Sequence, residues 1–331
     1  MIVTVTPNPS IDRTVALATP LTRGAVHRVA SAISEPGGKG VNVARALTLA
    51  GLDTLAVLPA ADTDPIVAAL QASGVSFRCV PVTGAVRTNV AITESDGTTT
   101  KLNEPGALLD DTARTALTRA VADAAGGAAW VVLSGSLPPG LPDSWYADVV
   151  AMLASAPCKV AVDTSEGPLA ALAEAFGTAA PDLIKPNAEE LAGLVGVSPE
   201  ALESAAAAGD PEPVVAAAHQ LIDRGARSVL VTLGAAGAVL VDATGSWLAT
   251  PPPIVPRSTV GAGDSSLAGY IRAEAGGAQP PQRLQMAVAY GSAAAALPGS
   301  ALPSPGQIDL NAVAVYSITA TRANAQPITR K

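Results

Sequence analysis

Two glycine-rich stretches, far apart in the chain, carry the residue types that acid–base chemistry on an anion needs. In "RSTVGAGDSSLAGYIRA" (257–273) Gly261 and Gly263 flank Ala262 and permit a tight turn. The helix that follows turns its unpaired N–H groups and the positive end of its dipole toward that turn. An anion held there lies beside Asp264, the one acid of the turn. A plain helix cap needs one glycine and one acid, so the glycine pair favours an anion site with a base placed in it. In "EPGGKGVNVARAL" (35–47) Gly37, Gly38 and Gly40 surround Lys39 directly before a second helix, and Asn42 falls in its first turn. Glycines let a polar ligand touch the backbone, and a lysine neutralises one negative charge. Alone, GGKG fits a flexible loop with a solvated lysine; beside the other stretch it reads as the second end of one reaction. Neither stretch is a dinucleotide fingerprint, because Ser266 stands where the third glycine belongs, and GK followed by Ser or Thr, the P-loop signature, occurs nowhere.

Such residues need a frame. From about residue 129, "AWVVLSG", "KVAVDTS", "DLIKPN" and "SVLVTLG" are short apolar strands separated by helical stretches such as 143–155 and 188–196. That alternation reads as parallel βαβ units covered on both faces. An open parallel sheet takes its ligands beyond the C-terminal strand ends. There the sequence places "SGS" (134–136), "DTS" (163–165), "KPN" (185–187) and "TLGAAG" (232–237). The first hundred residues differ: "DRTVAL", "AVHRVASAISE", "FRCVPV", "TNVAITE" and "TTTKLNE" have the period of strands, and Asp96-Gly97 joins the last two as a hairpin. One clear helix, "KGVNVARALTLAG", ends at Gly51. The expectation is an α/β fold in a single domain over 1–317, with a small β-sheet lid drawn from about 12–35 and 75–104. A small sheet with one apolar face needs cover, and a second subunit docked on the lid, giving a homodimer, is expected. The segment 198–213 reads as a surface helix and loop, and 318–331 as a polar tail.

Composition narrows the partners. With 49% hydrophobic and 15% charged residues over 331 positions, the chain is a compact globular protein. A net charge of −8 speaks against nucleic acid and anionic membranes, which require a basic surface. No apolar run reaches the ~20 residues that span a bilayer. Cys79 and Cys158 sit in apolar runs without metal-ligand spacing and read as reduced core residues. "MIVTVTPNPSID" reads as a strand without the basic flank of an export signal, so the expected compartment is the cytoplasm. His27 and His219 are too few for a histidine metal site, which leaves a carboxylate as the base.

"GGKGVN" followed more than two hundred residues later by "STVGAGD" resembles the two signatures of the PfkB (ribokinase-like) carbohydrate kinase family. "TPNPSID" (6–12), "KLNEPG" (101–106), "SGSLPPG" (134–140), "KPNAEEL" (185–191) and "TLGAAG" (232–237) resemble it too, in the expected order over roughly residues 1 to 305. The set is most similar to the branch of 1-phosphofructokinases and tagatose-6-phosphate kinases. The resemblance implies a ribokinase-like fold, a central mainly parallel sheet with helices on both faces. It implies Asp264 as catalytic base, with the N–H groups of Gly261, Ala262, Gly263 and Asp264 on the γ-phosphate of ATP. Asp12, Gly38, Lys39, Gly40 and Asn42 would then meet the sugar. Lys39, Arg87 and Lys101, with Asn89, Asn103 and Ser136, would hold the sugar's own phosphate. Lys185 and Asn187 would contact the nucleotide phosphates, and Glu190 would organise Mg²⁺ through water. On the residues alone Asn187 and Glu190 form a capping box. Thr232, Leu233, Gly234, Ala235, Ala236 and Gly237 match the nucleotide loop, and Ser258, Val260 and Gly299 a backbone site for a monovalent cation such as K⁺. Relatives carry Gly-x-Asp-x-x-Gly after the first helix; this chain has "PAADTDP" (59–65), so Asp62 is left out of the expected site.

The expectation is an ATP- and Mg²⁺-dependent kinase acting on a ketohexose monophosphate, fructose 1-phosphate before tagatose 6-phosphate or fructose 6-phosphate. Several cations converging on a sugar pocket have no use for an uncharged sugar. The rival from another class is a non-catalytic sugar-phosphate sensor, which has no need of the base Asp264.

Overall fold

The computed structural model describes residues 1–318, so the expected tail, apart from Ile318, lies outside the described residues. The chain opens on β1 (Ile2–Val5), departs to form β2 (Ser10–Ala16) and β3 (Ser31–Gly37), and returns through α1 (Lys39–Leu49) to β4 (Thr54–Pro59). Helix α2 (Pro65–Ala72) crosses to β5 (Phe77–Val80), after which β6 (Arg87–Thr93) and β7 (Thr99–Asn103) form a hairpin. There follow α3 (Asp111–Ala125), β8 (Trp130–Ser134), α4 (Trp145–Leu153), β9 (Lys159–Asp163), α5 (Glu166–Glu174) and β10 (Leu183–Ile184). Helices α6 (Ala188–Val195), α7 (Pro199–Ala207) and α8 (Glu212–Asp223) lead to β11 (Ser228–Thr232). The chain then runs through β12 (Ala238–Asp242), β13 (Gly245–Thr250), α9 (Ala262–Ala275), α10 (Pro280–Ala295) and β14 (Ala314–Ser317).

The large sheet is 10-stranded, in the order β14-β13-β12-β11-β10-β9-β8-β1-β4-β5. From β5 to β11 all neighbours pair in parallel, and β12, β13 and β14 add an antiparallel edge. The inner strands β1, β4, β8, β9, β11 and β12 are buried on both faces, which is why they are near-continuous apolar runs. Val131 and Leu133 of β8 face the layer of α3, α4, α6 and α8, whereas Trp130 and Val132 face α1, α9 and α10. The order in which strands are added reverses at β1: β4 and β5 build outward on one side of it, β8, β9, β10 and β11 on the other. The crevice beyond those strand ends is where an open α/β sheet takes its ligands.

The second sheet is 4-stranded, in the order β3-β2-β6-β7. Its pleat sorts the side chains by chemistry. Ser10, Asp12, Arg87, Asn89, Lys101 and Asn103 fall on one face, and Ile11, Val15, Val90, Ile92 and Leu102 on the other, with Arg13 and Thr88 among them. Two expectations are corrected here. Residues 75–80 do not enter the lid: Phe77–Val80 pairs in parallel with Ala56–Pro59 at the edge of the large sheet. Helix α2, capped by the Asp64 side chain and packed through Ile66 and Leu70, supplies the crossover that a parallel partner requires. The lid strand expected from residue 25 begins only at Ser31. The lid is therefore built from Ser10–Gly37 and Arg87–Asn103.

Candidate active site

Helix α9 begins at Gly261, whose left-handed φ of 76° lets the chain turn straight into the helix, and no side chain caps that end. Asp264 stands in its first turn, 6% exposed, and its Oδ2 accepts a hydrogen bond of 2.9 Å from Asn42 Nδ2 of α1. Beside the turn lies Lys185 Nζ, 3.3 Å from where a Cβ on Gly263 would stand. Asp163, at the C-terminal end of β9 and fully buried, binds Lys39 Nζ at 3.0 Å through Oδ1 and Lys185 Nζ at 3.2 Å through Oδ2. Two acids, two lysines and an amide thus meet beyond the strand ends.

Their electrostatics divide the acids. Burial pushes the Asp264 carboxyl above its ordinary value and the negative Asp163 adds to this, against the pull of Lys39, Asn42 and Lys185. Burial also pushes Asp163 upward, but Lys185 and Lys39 outweigh it and its carboxyl ends below the ordinary value. Lys39 is held above the usual lysine value, chiefly by Asp163. Carboxylates whose environments drive them apart take different roles. Asp163 is a permanent counter-ion and Asp264 a carboxylate ready to take a proton.

A second group lines the polar face of the lid. Asp12 Oδ1 accepts from Ser10 Oγ (2.7 Å) and Asn89 Nδ2 (3.0 Å). A Cβ on Gly37 would stand 2.3 Å from that carboxyl group, so any larger residue there would displace the Asp12 side chain. Arg87 donates through Nη2 to the Asn8 carbonyl (3.2 Å) and Ser136 Oγ (3.4 Å), and through Nη1 to the Glu104 carbonyl (3.2 Å). Asn8 in turn donates to Ser136 Oγ at 3.3 Å and to the Pro105 carbonyl at 3.0 Å. Burial lowers the Arg87 pKa, with Asp12 opposing. Lys101 and Asn103 are exposed on β7, on the same face as Arg87 and Asn89. Lys39, expected with them on the sugar phosphate, is bonded to Asp163. Arg87 Nε, Asn89 Oδ1 and Asn42 Oδ1 are buried without a hydrogen-bond partner. Buried polar atoms are nearly always paired, so orphans on the polar lid face and on α1 are open to a polar ligand.

A cavity of about 690 Å³ opens between the start of α6, the end of α7 and the loop after β11, lined in part by Asn187, Ala206, Thr232, Leu233, Gly234 and Ala236. Asn187 caps α6 and closes a capping box with Glu190, with N–H to carboxylate at 2.8 Å and N–H to amide oxygen at 2.7 Å. Gly237 closes the loop at φ 101°. Ser258 and Gly299 lie on neighbouring loops, since the N–H groups of Arg257 and Ser258 both bond the Ala295 carbonyl, and Val260 N–H bonds Ser258 Oγ at 3.2 Å.

The pfkB family carbohydrate kinase model matches residues 5–306. The chain belongs to the pfkB family of carbohydrate kinases. It is 38% identical to the 1-phosphofructokinase of Rhodobacter capsulatus over 93% of this chain and 94% of that protein. It is 37% identical to the 1-phosphofructokinase of Xanthomonas campestris pv. campestris over 82% and 83%. Phosphofructokinase-2 of Escherichia coli, solved in complex with substrates and products, superposes with a TM-score of 0.83 at 30% identity over 93% of this chain and 96% of that one. The same enzyme has been solved in complex with potassium.

For a pfkB-family kinase the site must accommodate ATP and a divalent ion. The uncapped α9 turn suits a phosphate group, and the cavity lined by the small-residue loop 233–236 suits a nucleoside. Among the described residues no cluster of His, Cys, Asp and Glu forms a metal cage. Asn187 and Glu190, the expected metal-side residues, show here the capping-box bonds alone, and any role toward Mg²⁺ would run through water and phosphate oxygens. Two contributors escaped the sequence expectation. Asp163 was visible only as a polar strand end, and Asn8 only as part of "TPNPSID"; their roles arise from partners remote in sequence.

Proposed function

We propose that the chain transfers the γ-phosphoryl group of ATP to a ketohexose monophosphate, converting fructose 1-phosphate to fructose 1,6-bisphosphate. The observation that carries this is Asp264, buried beside an open helix N-terminus with its carboxyl pKa raised. The sugar hydroxyl oxygen attacks the γ-phosphorus in line, and its proton passes to Asp264. The bond from that phosphorus to the bridging oxygen breaks, and ADP leaves with the electron pair. Such transfer has a loose transition state, so positioning and charge stabilisation do most of the work. The N–H groups after Gly261 and the Lys39 and Lys185 ammonium groups supply that stabilisation from fixed positions. Mg²⁺, when bound, would neutralise charge on the nucleotide phosphates.

A phosphorylated sugar is favoured by Arg87, a cation on the polar lid face that bonds Asn8 and Ser136 and keeps a buried Nε without a partner. Lys101 adds a second cation at the rim. The potassium complex of the Escherichia coli enzyme supports a monovalent cation near Ser258, Val260 and Gly299 here. The cytoplasm is the compartment proposed, in keeping with cysteines that are both unpaired. Homodimerisation through the lid is proposed from its apolar face.

A coupled ADP-release assay across fructose 1-phosphate, fructose 6-phosphate, tagatose 6-phosphate and free fructose tests the reading. The highest kcat/KM is expected with fructose 1-phosphate. A wide margin for fructose 6-phosphate would favour a second reading, supported by 32% identity to ATP-dependent 6-phosphofructokinase isozyme 2 of Escherichia coli. Tight binding of a hexose phosphate with no turnover would leave a sensor instead.

A further inference from the structure

The loop that follows α10 touches three functional elements at once. Gly299, at φ 61°, places its backbone so that a Cβ would lie 3.5 Å from Thr14 Oγ1 on lid strand β2. Ser300, only 5% exposed, donates its hydroxyl to Glu35 Oε2 of lid strand β3 at 2.7 Å. Leu302 Cδ2 lies 3.9 Å from where Gly261, the N-cap of α9, would carry a Cβ. One short loop therefore rests on lid strands β2 and β3 and on the turn that opens the anion site.

Glu35 extends the connection. Its Oε1 accepts from Arg45 Nη2 of α1 at 2.8 Å, while Arg45 Nη1 holds the Pro36 carbonyl at 3.2 Å. Helix α1 is the element whose Asn42 donates to Asp264. Across the lid, Glu35 is the register partner of Asp12, which accepts from Asn89 on the sugar face. A half-buried carboxylate is a poor choice for stapling a strand, because apolar packing would hold β3 as well without the desolvation cost. What a carboxylate shared by Arg45 and Ser300 adds is directionality. Its hydrogen bonds hold only while β3, α1 and the loop keep their relative positions, since such bonds weaken steeply with distance and angle.

We propose that Glu35 and Ser300 are positioning residues that make the γ-phosphate turn at Gly261 depend on the placement of the sugar-side lid. Sugar phosphate and ATP then tighten each other's binding through this joint. The inference rests on the kinase reading above. A coupling of this kind is reciprocal and is measured as a ratio of dissociation constants. The test is titration of the full-length protein with a non-hydrolysable ATP analogue, without and with saturating fructose 1-phosphate. The unaltered protein should show a tightening of roughly 5- to 150-fold. In Ser300→Ala and in Glu35→Gln the affinity for the analogue alone should stay within about twofold, while the tightening falls below about twofold. A purely structural staple would lower Tm in both variants and leave that ratio at its original value, and this result overturns the proposal. So does a protein that turns over fructose 1-phosphate yet shows no tightening to begin with. Absence of turnover on every hexose phosphate overturns the kinase reading itself, which separates the two failures.

Discussion

Asp264 and Asp163 share two lysines and are driven in opposite directions. Asp163 touches both ammonium groups, at 3.0 and 3.2 Å, whereas the direct hydrogen bond to Asp264 comes from neutral Asn42. For Asp163 the lowered pKa means stability that is present above its unfolded value and lost as pH falls through the folded one. For Asp264 the sign reverses: its raised pKa favours the folded state below its unfolded value, and that advantage is lost as pH rises through the folded value. A working base must be ionised, so kcat/KM should decline in acid with a midpoint above the ordinary aspartate value of about 3.9. Asp264→Asn keeps an oxygen to accept from Asn42 and removes a buried charge. We expect kcat to drop by about 10²- to 10⁴-fold, with affinity for an ATP analogue retained and a Tm at pH 8 equal to or above the original. Turnover close to normal would remove Asp264 as the base. Glycines and helix starts mark Asp264, Lys39 and Asn42 in the sequence, and Lys185 is marked by the likeness of "KPNAEEL" to the family motif. Asp163 carries no such mark: its importance comes from burial against Lys39, 124 positions away.

At the scale of elements, the site depends on how closely α1 approaches β1. A Cβ on Gly40 would lie 2.5 Å from Thr6 Oγ1 and 2.8 Å from the Val5 carbonyl oxygen, and the latter is backbone in a buried strand. Gly40→Ala must therefore push α1 away from the sheet, and α1 carries Lys39 and Asn42. A loss of about 1–3 kcal/mol in stability is expected from such overpacking, together with a fall in kcat as the Asn42–Asp264 bond is displaced. Gly126→Ala is the matched control, since a Cβ there meets only the Asp123 carbonyl at 3.9 Å. Thermal melts and turnover on both variants check this, and equal behaviour would show that α1 can shift without consequence. The same contrast explains what was legible in the sequence. Apolar runs between helices announced β8 to β11, because a strand buried on both faces leaves that trace. Strand β5 alternates as the lid strands do, and its ladder is chosen by the α2 crossover rather than by its own residues. The antiparallel edge of β12 to β14 fell outside the expectation for the same reason: period identifies a strand but not its neighbour.

For the whole molecule, the charge balance and the lid point to one arrangement. A chain with net charge −8 that takes two anionic substrates must rely on local fields, and Lys39, Lys185 and Arg87 supply them inside a crevice where low-dielectric walls strengthen them. The lid that covers this crevice has Val15, Val90, Ile92 and Leu102 on its other face, with Leu102 57% exposed. The connection between β2 and β3 adds Val26 at 90% and Val29 at 52% exposure. An apolar surface of this kind, rimmed by polar residues, marks an interaction site, and the simplest partner is a second copy across a twofold axis. A stable dimer buries about 1,200–2,000 Å² in total, an area two docked lids with their connections are suited to supply. We expect a dimer by sedimentation at micromolar concentration. Leu102→Glu should shift it toward monomer, since the two copies would meet charge on charge. Because Leu102 adjoins Lys101 and Asn103 on the same strand, loss of the partner should also raise KM for the sugar phosphate while leaving the ATP-analogue affinity unchanged. A monomeric original protein, or an unaltered dimer in Leu102→Glu, would place the contact elsewhere and leave the lid backed by solvent alone.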